Sequence, residues 1–149
     1  MSKLVEEWRP IKDYEGYYEV SDWGRIRTVE REVPFGNQKR IIKERILKGA
    51  LDAWWYHQVG LSKNSKQSTK KVHQLVAKAF IENPEGKTDI DHIDCDKTNN
   101  RVENLRWVTC KENMNNPKTR KMLSEAQKNT LYKHERDEFG KWKKQNPVN

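Results

Sequence analysis

Between residues 18 and 28 the chain alternates, with Tyr18, Val20, Ile26 and Thr28 at every second position on either side of the tetrad Ser21-Asp22-Trp23-Gly24. Side chains two apart share one face of a strand, and a polar tetrad ending in glycine closes a hairpin, so the pattern predicts two antiparallel strands. Residues 53–61 (AWWYHQVGL) are aromatic and β-branched and predict a further strand, followed by a polar loop at 62–71 (SKNSKQSTKK). At residue 72 the period changes. Val72, Leu75, Val76, Ala79 and Phe80 recur at helical spacing and predict a short amphipathic helix over 72–80. Pro84 and Gly86 open a turn. TDIDHI (88–93) and NLRWV (104–108) predict two short strands, and Thr109 with Glu112 three residues later forms a capping box that starts another helix. The stretch 118–145 predicts a weakly amphipathic helix with Trp142 near its end.

The elements therefore predict an α+β chain in three segments. Residues 1–70 form a small antiparallel sheet region, 71–116 a strand–loop–strand–helix centre, and 117–149 a basic, helical extension.

Composition adds a partner to this picture. Among 149 residues there are 30 Lys and Arg against 22 Asp and Glu, a net charge of +8 and a sequence pI near 9.5. Scattered cations gain by displacing counterions from a polyphosphate, so the expected partner is nucleic acid. The charge is uneven, at +4 for residues 1–70, −1 for 71–110 and +5 for 111–149. A protein that merely coats nucleic acid has little reason to centre its carboxylates, whereas one that holds a divalent cation against a phosphate needs them there. Two cysteines, Cys95 and Cys110, are too few for a four-cysteine zinc site or a disulfide framework, and both are expected to be reduced and buried. There is no run of 18 apolar residues, and MSKLVEEWRP has acidic residues where a signal peptide needs an apolar stretch, so the expectation is a cytoplasmic protein with no membrane partner and no evident obligate protein partner.

Four aspartates, Asp89, Asp91, Asp94 and Asp96, crowd His92. Asp91 offers a hard anionic oxygen ligand, His92 can take a proton near neutral pH, and Asn113 falls in the first turns of the capped helix. Neighbours on a strand point to opposite faces, so Asp91 and His92 can serve one site only if the strand bends or ends there. The series Asp94, Asp96, Thr98, Asn100 has the alternating oxygens of a calcium loop, but Asn99 stands where that loop needs glycine and Leu105 where it needs glutamate. For Asp94 and Asp96 a solvated acidic loop is the simpler reading.

The string DHIDCDKTNNRVENLRWVTCKEN resembles the HNH nucleases, most closely the homing-type members of phages and introns, whose signature runs Asp-His, then Asn before Leu-Arg-Trp-Val-Thr, then a closing Asn or His. Upstream, EEWRPIKDYEGYYEVSDWGRIRT resembles the short module that often precedes that nuclease. With VHQLVAKAF the resemblance covers about half of the chain, its motifs in the expected order. Asp13 stands where the upstream module often has glycine, Asn113 closes the signature where other branches have histidine, and residues 117–149 match no pattern.

The resemblance implies a ββα-metal site in an endonuclease that hydrolyses phosphodiester bonds of double-stranded DNA, nicking one strand, in the cytoplasm of a bacterial host if the chain is phage-encoded. It implies one divalent ion, Mg²⁺ or Mn²⁺, ligated by Asp91 and Asn113, with His92 as general base and Asn104 holding the loop that bears it. For DNA contacts the candidates are Lys63, Lys66, Lys70 and Lys71, which fit a groove-inserted or a solvated hairpin equally, and Arg25 and Arg27 on one face of their strand. The alternative is a catalytically silent DNA-binding regulator on the same scaffold, separated from the enzyme by incubating plasmid with and without magnesium.

Overall fold

A computed structural model describes residues 5–121, 124 and 125. The chain divides into two compact units, one running through Thr109 and the other starting at Cys110.

In the first unit the predicted hairpin forms as β2 (Tyr18–Ser21) and β3 (Ile26–Thr28), paired Tyr18 to Thr28 and Val20 to Ile26. β1 (Trp8–Pro10) joins on the β2 side and β6 (Arg45–Leu47) on the β3 side, giving a four-stranded antiparallel sheet. Between them β4 (Arg31–Phe35) and β5 (Gln38–Ile42) make a separate two-stranded hairpin that the alternation did not reveal, with Phe35 and Ile41 exposed.

The third sheet corrects two expectations. β7 (Ala50–Leu51), β8 (His57–Lys63) and β9 (Lys66–Lys71) pair in order, so 62–71 is not a loop but the end of one strand, a two-residue turn and a whole second strand. Asn64 and Ser65 both adopt positive φ, 51° and 60°, the geometry that lets a two-residue turn match the twist of its strands. Polar content masked this strand because only its inner face is covered. Conversely, the aromatic run at 53–55 is no strand. It belongs to a turn that precedes β8.

The helix over 72–80 forms as predicted, α1 (Val72–Phe80), and buries Val72, Leu75, Val76 and Ala77. Val72, Leu75 and Val76 meet Val20, Ile26, Val59, Leu61 and Leu105 in one core, so the strands of the N-terminal segment and the central elements share it. Fully burying a side chain such as Val20, Leu61 or Val76 contributes about 1.5–3 kcal/mol, so this shared core is what fixes the sheets against the helix. The buried Tyr18 hydroxyl ties two sheets, accepting from the Ser62 amide at 3.0 Å and donating to its carbonyl at 3.3 Å. β10 (Asp89–His92) and β11 (Leu105–Val108) pair antiparallel and are joined by a loop and a 3₁₀ turn at Val102–Asn104.

In the second unit, α2 (Cys110–Asn115) begins directly after Thr109, and residues 117–121, 124 and 125 are helical. The rest of the helix expected over 118–145 lies outside the described residues, as does Trp142. Mixed strand and limited helix match the α+β expectation. Both cysteines are exposed, not buried, because each sits at a boundary, Cys95 in the polar loop and Cys110 at the start of α2. Among the described residues no helix is long and apolar enough to cross a membrane.

Candidate active site

His92 is the last residue of β10 and 5% exposed. Asp91 faces the other side of the strand, directly opposite Arg106 of β11, which donates to Asp91 Oδ2 from Nε at 3.0 Å and from Nη2 at 2.6 Å. Strand alternation thus splits the two residues, and the strand ends where both are needed. The Cys95 amide donates to the His92 carbonyl at 2.9 Å, turning the chain at once, and Cys95 itself has φ 65°.

Asn100, which the sequence reading used only as one oxygen in the rejected calcium series, holds the imidazole. Its Oδ1 lies 3.0 Å from His92 Nε2, and its Nδ2 is turned to the Thr98 carbonyl at 3.5 Å. An amide oxygen only accepts, so this contact favours the tautomer with its proton on Nε2, which leaves on Nδ1 the lone pair that a general base needs. The signal was present in the Asn99-Asn100 pair at the loop's end, but nothing in a linear sequence says which amide meets the ring.

Asn104 closes that loop at its far end. Buried in the 3₁₀ turn, it accepts the Asp94 amide at 3.0 Å, donates to Asp94 Oδ1 at 2.9 Å and to the Asn99 carbonyl at 2.9 Å, while its own carbonyl takes the Ile93 amide at 2.9 Å. One side chain therefore spans the loop that His92 opens. Asp94 and Asp96 are not merely solvated. Asp94 accepts from Asn99 at 2.7 Å and from the Asp96 amide at 2.8 Å, and Asp96 Oδ1 accepts from the Thr98 hydroxyl and amide at 2.6 and 2.9 Å. These bonds, the Asn99 donor first for Asp94 and the Thr98 hydroxyl first for Asp96, hold both carboxyls below the usual range. Their oxygens are engaged in folding the loop, so a calcium loop finds no support here.

The loop in turn rests on the N-terminal hairpin. The Val102 amide donates to the Asp22 carbonyl at 2.9 Å, and Gly24, at φ +83°, lies so close to Asn100 that a Cβ on it would come 2.8 Å from the Asn100 carbonyl oxygen. The Ser-Asp-Trp-Gly tetrad thus closes a hairpin and also buttresses the residue that orients His92.

A second imidazole sits behind the first. His73, from the buried side of α1, packs edge-on against His92 with ring centroids 5.2 Å apart, and Tyr56 lies 5.0 Å from His73 and 6.0 Å from His92. Burial, then the neighbouring His92, push His73 down to about 4, so it is neutral at physiological pH. Nothing in the sequence marks it, because a lone histidine on a helix has no pattern. Around the Tyr56 ring stand the Lys71 and Lys97 ammoniums, 4.5 and 4.7 Å from its centre, and Asp52, 3.5 Å from Lys71 Nζ. Burial, then Asp52 and Asp91, raise the Tyr56 phenol above its ordinary value.

For a cation the donor chemistry is hard oxygen. Among the described residues no three His, Cys, Asp or Glu side chains converge on one point. Asp91 keeps Oδ1 free of hydrogen bonds among the described residues, since both Arg106 bonds go to Oδ2. A carboxylate oxygen with no protein partner suits a hard cation that takes the rest of its shell from water and phosphate. Asn113 lies on α2 in the second unit.

The proposed DNA contacts are dispersed. Arg25 pairs with Glu6, and Arg27 bonds Glu19 at 2.6 Å and Glu44 at 3.3 Å with its guanidinium 4.3 Å from the Trp8 ring centre. The β8–β9 register puts Lys63, Lys66 and Lys70 on one face and Lys71 on the other. Lys63 donates to the Asp13 carbonyl at 2.6 Å, Lys66 is exposed beside the turn, and Lys70 lines a cavity of about 140 Å³ with Lys12 and Lys78.

The order of these parts along the chain decides the family. Residues 6–62 match the model of the NUMOD4 motif, and residues 70–115 match the model of the HNH endonuclease. The chain belongs to the HNH endonuclease family. It is 39% identical over 118 residues to the DNA endonuclease I-HmuI of Bacillus phage SP01, covering 79% of this chain and 61% of that protein. It is 36% identical over 118 residues to the HNH endonuclease L247 of Acanthamoeba polyphaga mimivirus, covering 76% of this chain and 26% of that one. The solved structure titled for DNA binding and cleavage by the HNH homing endonuclease I-HmuI superposes with a TM-score of 0.63 at 38% identity, over 84% of this chain and 66% of that chain. This HNH chain thus spans about three fifths of the length of the phage enzyme it matches. HNH endonucleases generally use a divalent metal, and the match at 70–115 contains Asp91, His92, Asn104 and Asn113.

Proposed function

We propose that this HNH chain hydrolyses phosphodiester bonds of double-stranded DNA, with His92 as the general base. The observation that carries the proposal is the His92 ring itself, buried at a strand end with its Nε2 3.0 Å from Asn100 Oδ1, a contact that favours the tautomer whose Nδ1 can accept a proton. A water beside Nδ1 gives up its proton to the imidazole as its oxygen attacks phosphorus, and the bond to the leaving 3′ oxygen breaks. Asn100 fixes the tautomer and Asn104 fixes the loop, so the base is held in place before the phosphate arrives, and the neutral His73 adds no competing charge. Asp91, with Asn113 as its fellow ligand on the family pattern, would hold one magnesium or manganese ion, which when bound neutralises charge on the phosphate and the departing oxygen. Lys66 and Lys70, with Lys63 and Lys71, supply cations for the DNA backbone, while Arg25 and Arg27 act chiefly inside the protein through Glu6, Glu19 and Glu44.

One base serving one phosphate predicts that one strand is cut at a time. The test is supercoiled plasmid incubated with protein and magnesium. Open circles appearing first support the proposal. No cleavage with any divalent ion, together with retained DNA binding, would favour a silent regulator, and linear DNA with second-order dependence on protein would point to a dimer.

A further inference from the structure

Trp54 and Trp55 are 69% and 68% exposed, side by side on the turn that leads into β8. Exposed indoles on a slack loop would signify little, but this turn is tightly tied. Asp52 Oδ1 accepts the amides of Trp54 and Tyr56 at 2.8 and 2.9 Å, the Asp52 amide donates to the Tyr56 carbonyl at 2.9 Å, and Lys97 donates to the Trp54 carbonyl at 3.2 Å. Trp55 is held at φ 67°, a conformation that costs a bulky residue energy and persists only where its surroundings impose it. The chain therefore presents two large aromatic surfaces to solvent on a rigid support.

What stands around them indicates the occupant. The same turn ends in Tyr56, flanked by the Lys71 and Lys97 ammoniums and 6.0 Å from the His92 ring. Aromatic faces beside cations suit nucleic acid, bases stacking on the rings while the ammoniums take phosphates, whereas an apolar protein partner would leave both lysines desolvated. His92 is 5% exposed, so a phosphate reaches it only when pressed against the protein at the end of β10, close to this turn. We propose that Trp54 and Trp55 form a wedge that inserts an indole at a base step of bound duplex DNA, unstacking it, while Lys71 and Lys97 hold the adjoining phosphates, so that the kinked backbone reaches His92. This rests on the endonuclease reading above and adds how that site gains its substrate. Wedges of this kind kink a duplex by roughly 20–90°.

Unstacking a base step also unwinds the duplex, which can be read without knowing the recognition sequence and without cleavage. Closed circular plasmid carrying bound protein is relaxed by a metal-independent topoisomerase in the presence of a chelator, and the linking number is read after the protein is removed. Wild type is expected to shift the topoisomer distribution. The double variant Trp54→Ser, Trp55→Asn, matched to wild type in bound protein by filter binding, is expected to give less than half that shift; asparagine tolerates the positive φ that position 55 requires. With magnesium restored, its nicking rate is expected to fall roughly 10–100-fold, the scale of a misplaced reacting group. Should the double variant fail to melt cooperatively, Trp54→Ser alone decides, since that side chain is largely in solvent. An equal shift from variant and wild type, or no shift from bound wild type, would overturn the wedge while leaving the nuclease standing. Failure of wild type to bind plasmid at all would overturn both.

Discussion

Replacing Gly24 with alanine should damage a site to which residue 24 contributes no chemistry. Gly24 has φ +83°, and a Cβ built on it lies 2.8 Å from Asn100 Cβ, 2.8 Å from its carbonyl oxygen and 3.0 Å from its carbonyl carbon. Two costs follow. A left-handed backbone costs an L-residue roughly 1–2 kcal/mol, and forcing a methyl into packed atoms costs roughly 1–3 kcal/mol. Two of the three close contacts are backbone atoms, so no rotamer change relieves them. Their sum, about 2–5 kcal/mol, is a large share of the 5–15 kcal/mol typical of a domain and should lower Tm by on the order of 10 °C. The same clash pushes Asn100 away from His92 Nε2, and a displacement near 1 Å at a reacting group can cost about 10²-fold in rate. Gly86→Ala is the control. It has φ +62° with nothing within 4 Å, so it carries the backbone cost alone. The assay is thermal melting of both variants and plasmid nicking well below either Tm. If Gly24→Ala melts with Gly86→Ala and nicks at the wild-type rate, the hairpin turn does not support the base, and the reasoning fails.

Further perturbations bear on other links. His73, with a folded value near 4 against an ordinary 6.5, should make the protein lose stability as pH falls from about 6.5 towards 4, because only the unfolded chain gains the proton there; above 6.5 it contributes no slope. The loss should approach about 3 kcal/mol, and His73→Gln, melted across the same range, should show a shallower decline than wild type; equal declines would mean that His73 is not held neutral. Neutralising Lys63, Lys66, Lys70 and Lys71 together should flatten the salt dependence of DNA binding, each lost phosphate contact removing about 0.9 from the slope of log K against log salt, and an unchanged slope would place the DNA elsewhere. Asn113→Ala should need much more magnesium for the same nicking rate, and Asn113→His should shift preference toward softer ions such as nickel or zinc. An unchanged magnesium titration for Asn113→Ala would remove Asn113 from the ligand set.

Much of this was written in local pattern. The period of 3.6 over Val72–Phe80 and the alternation across Ser21–Gly24 specify their elements because one face of each is buried in the shared core. β9 escaped because its residues, KQSTKK, are polar on both faces, and its strand is imposed by pairing with β8 and by the turn at Asn64-Ser65. The aromatic run at 53–55 misled in the opposite direction, since Asp52 captures the amides of Trp54 and Tyr56 and bends the chain before a strand can start. Around the candidate site, Asp91, His92 and Asn104 stand out in sequence because their spacing matches a family pattern. Asn100, His73 and Tyr56 were not, because each reaches His92 only through tertiary contact, from a loop, a helix and a turn separated in sequence. The two cysteines look like core residues by type, but their positions in the polar loop and at the start of α2 leave both in solvent.

The central claim is that the His92 imidazole takes the proton of the attacking water. Its most direct measurement is the single-turnover nicking rate of supercoiled plasmid by His92→Ala beside wild type, in magnesium, at protein concentrations where filter binding shows equal occupancy and melting shows equal Tm. Loss of a positioned base is expected to lower the rate by roughly 10²-fold or more while DNA binding holds. A His92→Ala protein that binds and nicks at nearly the wild-type rate would contradict the account.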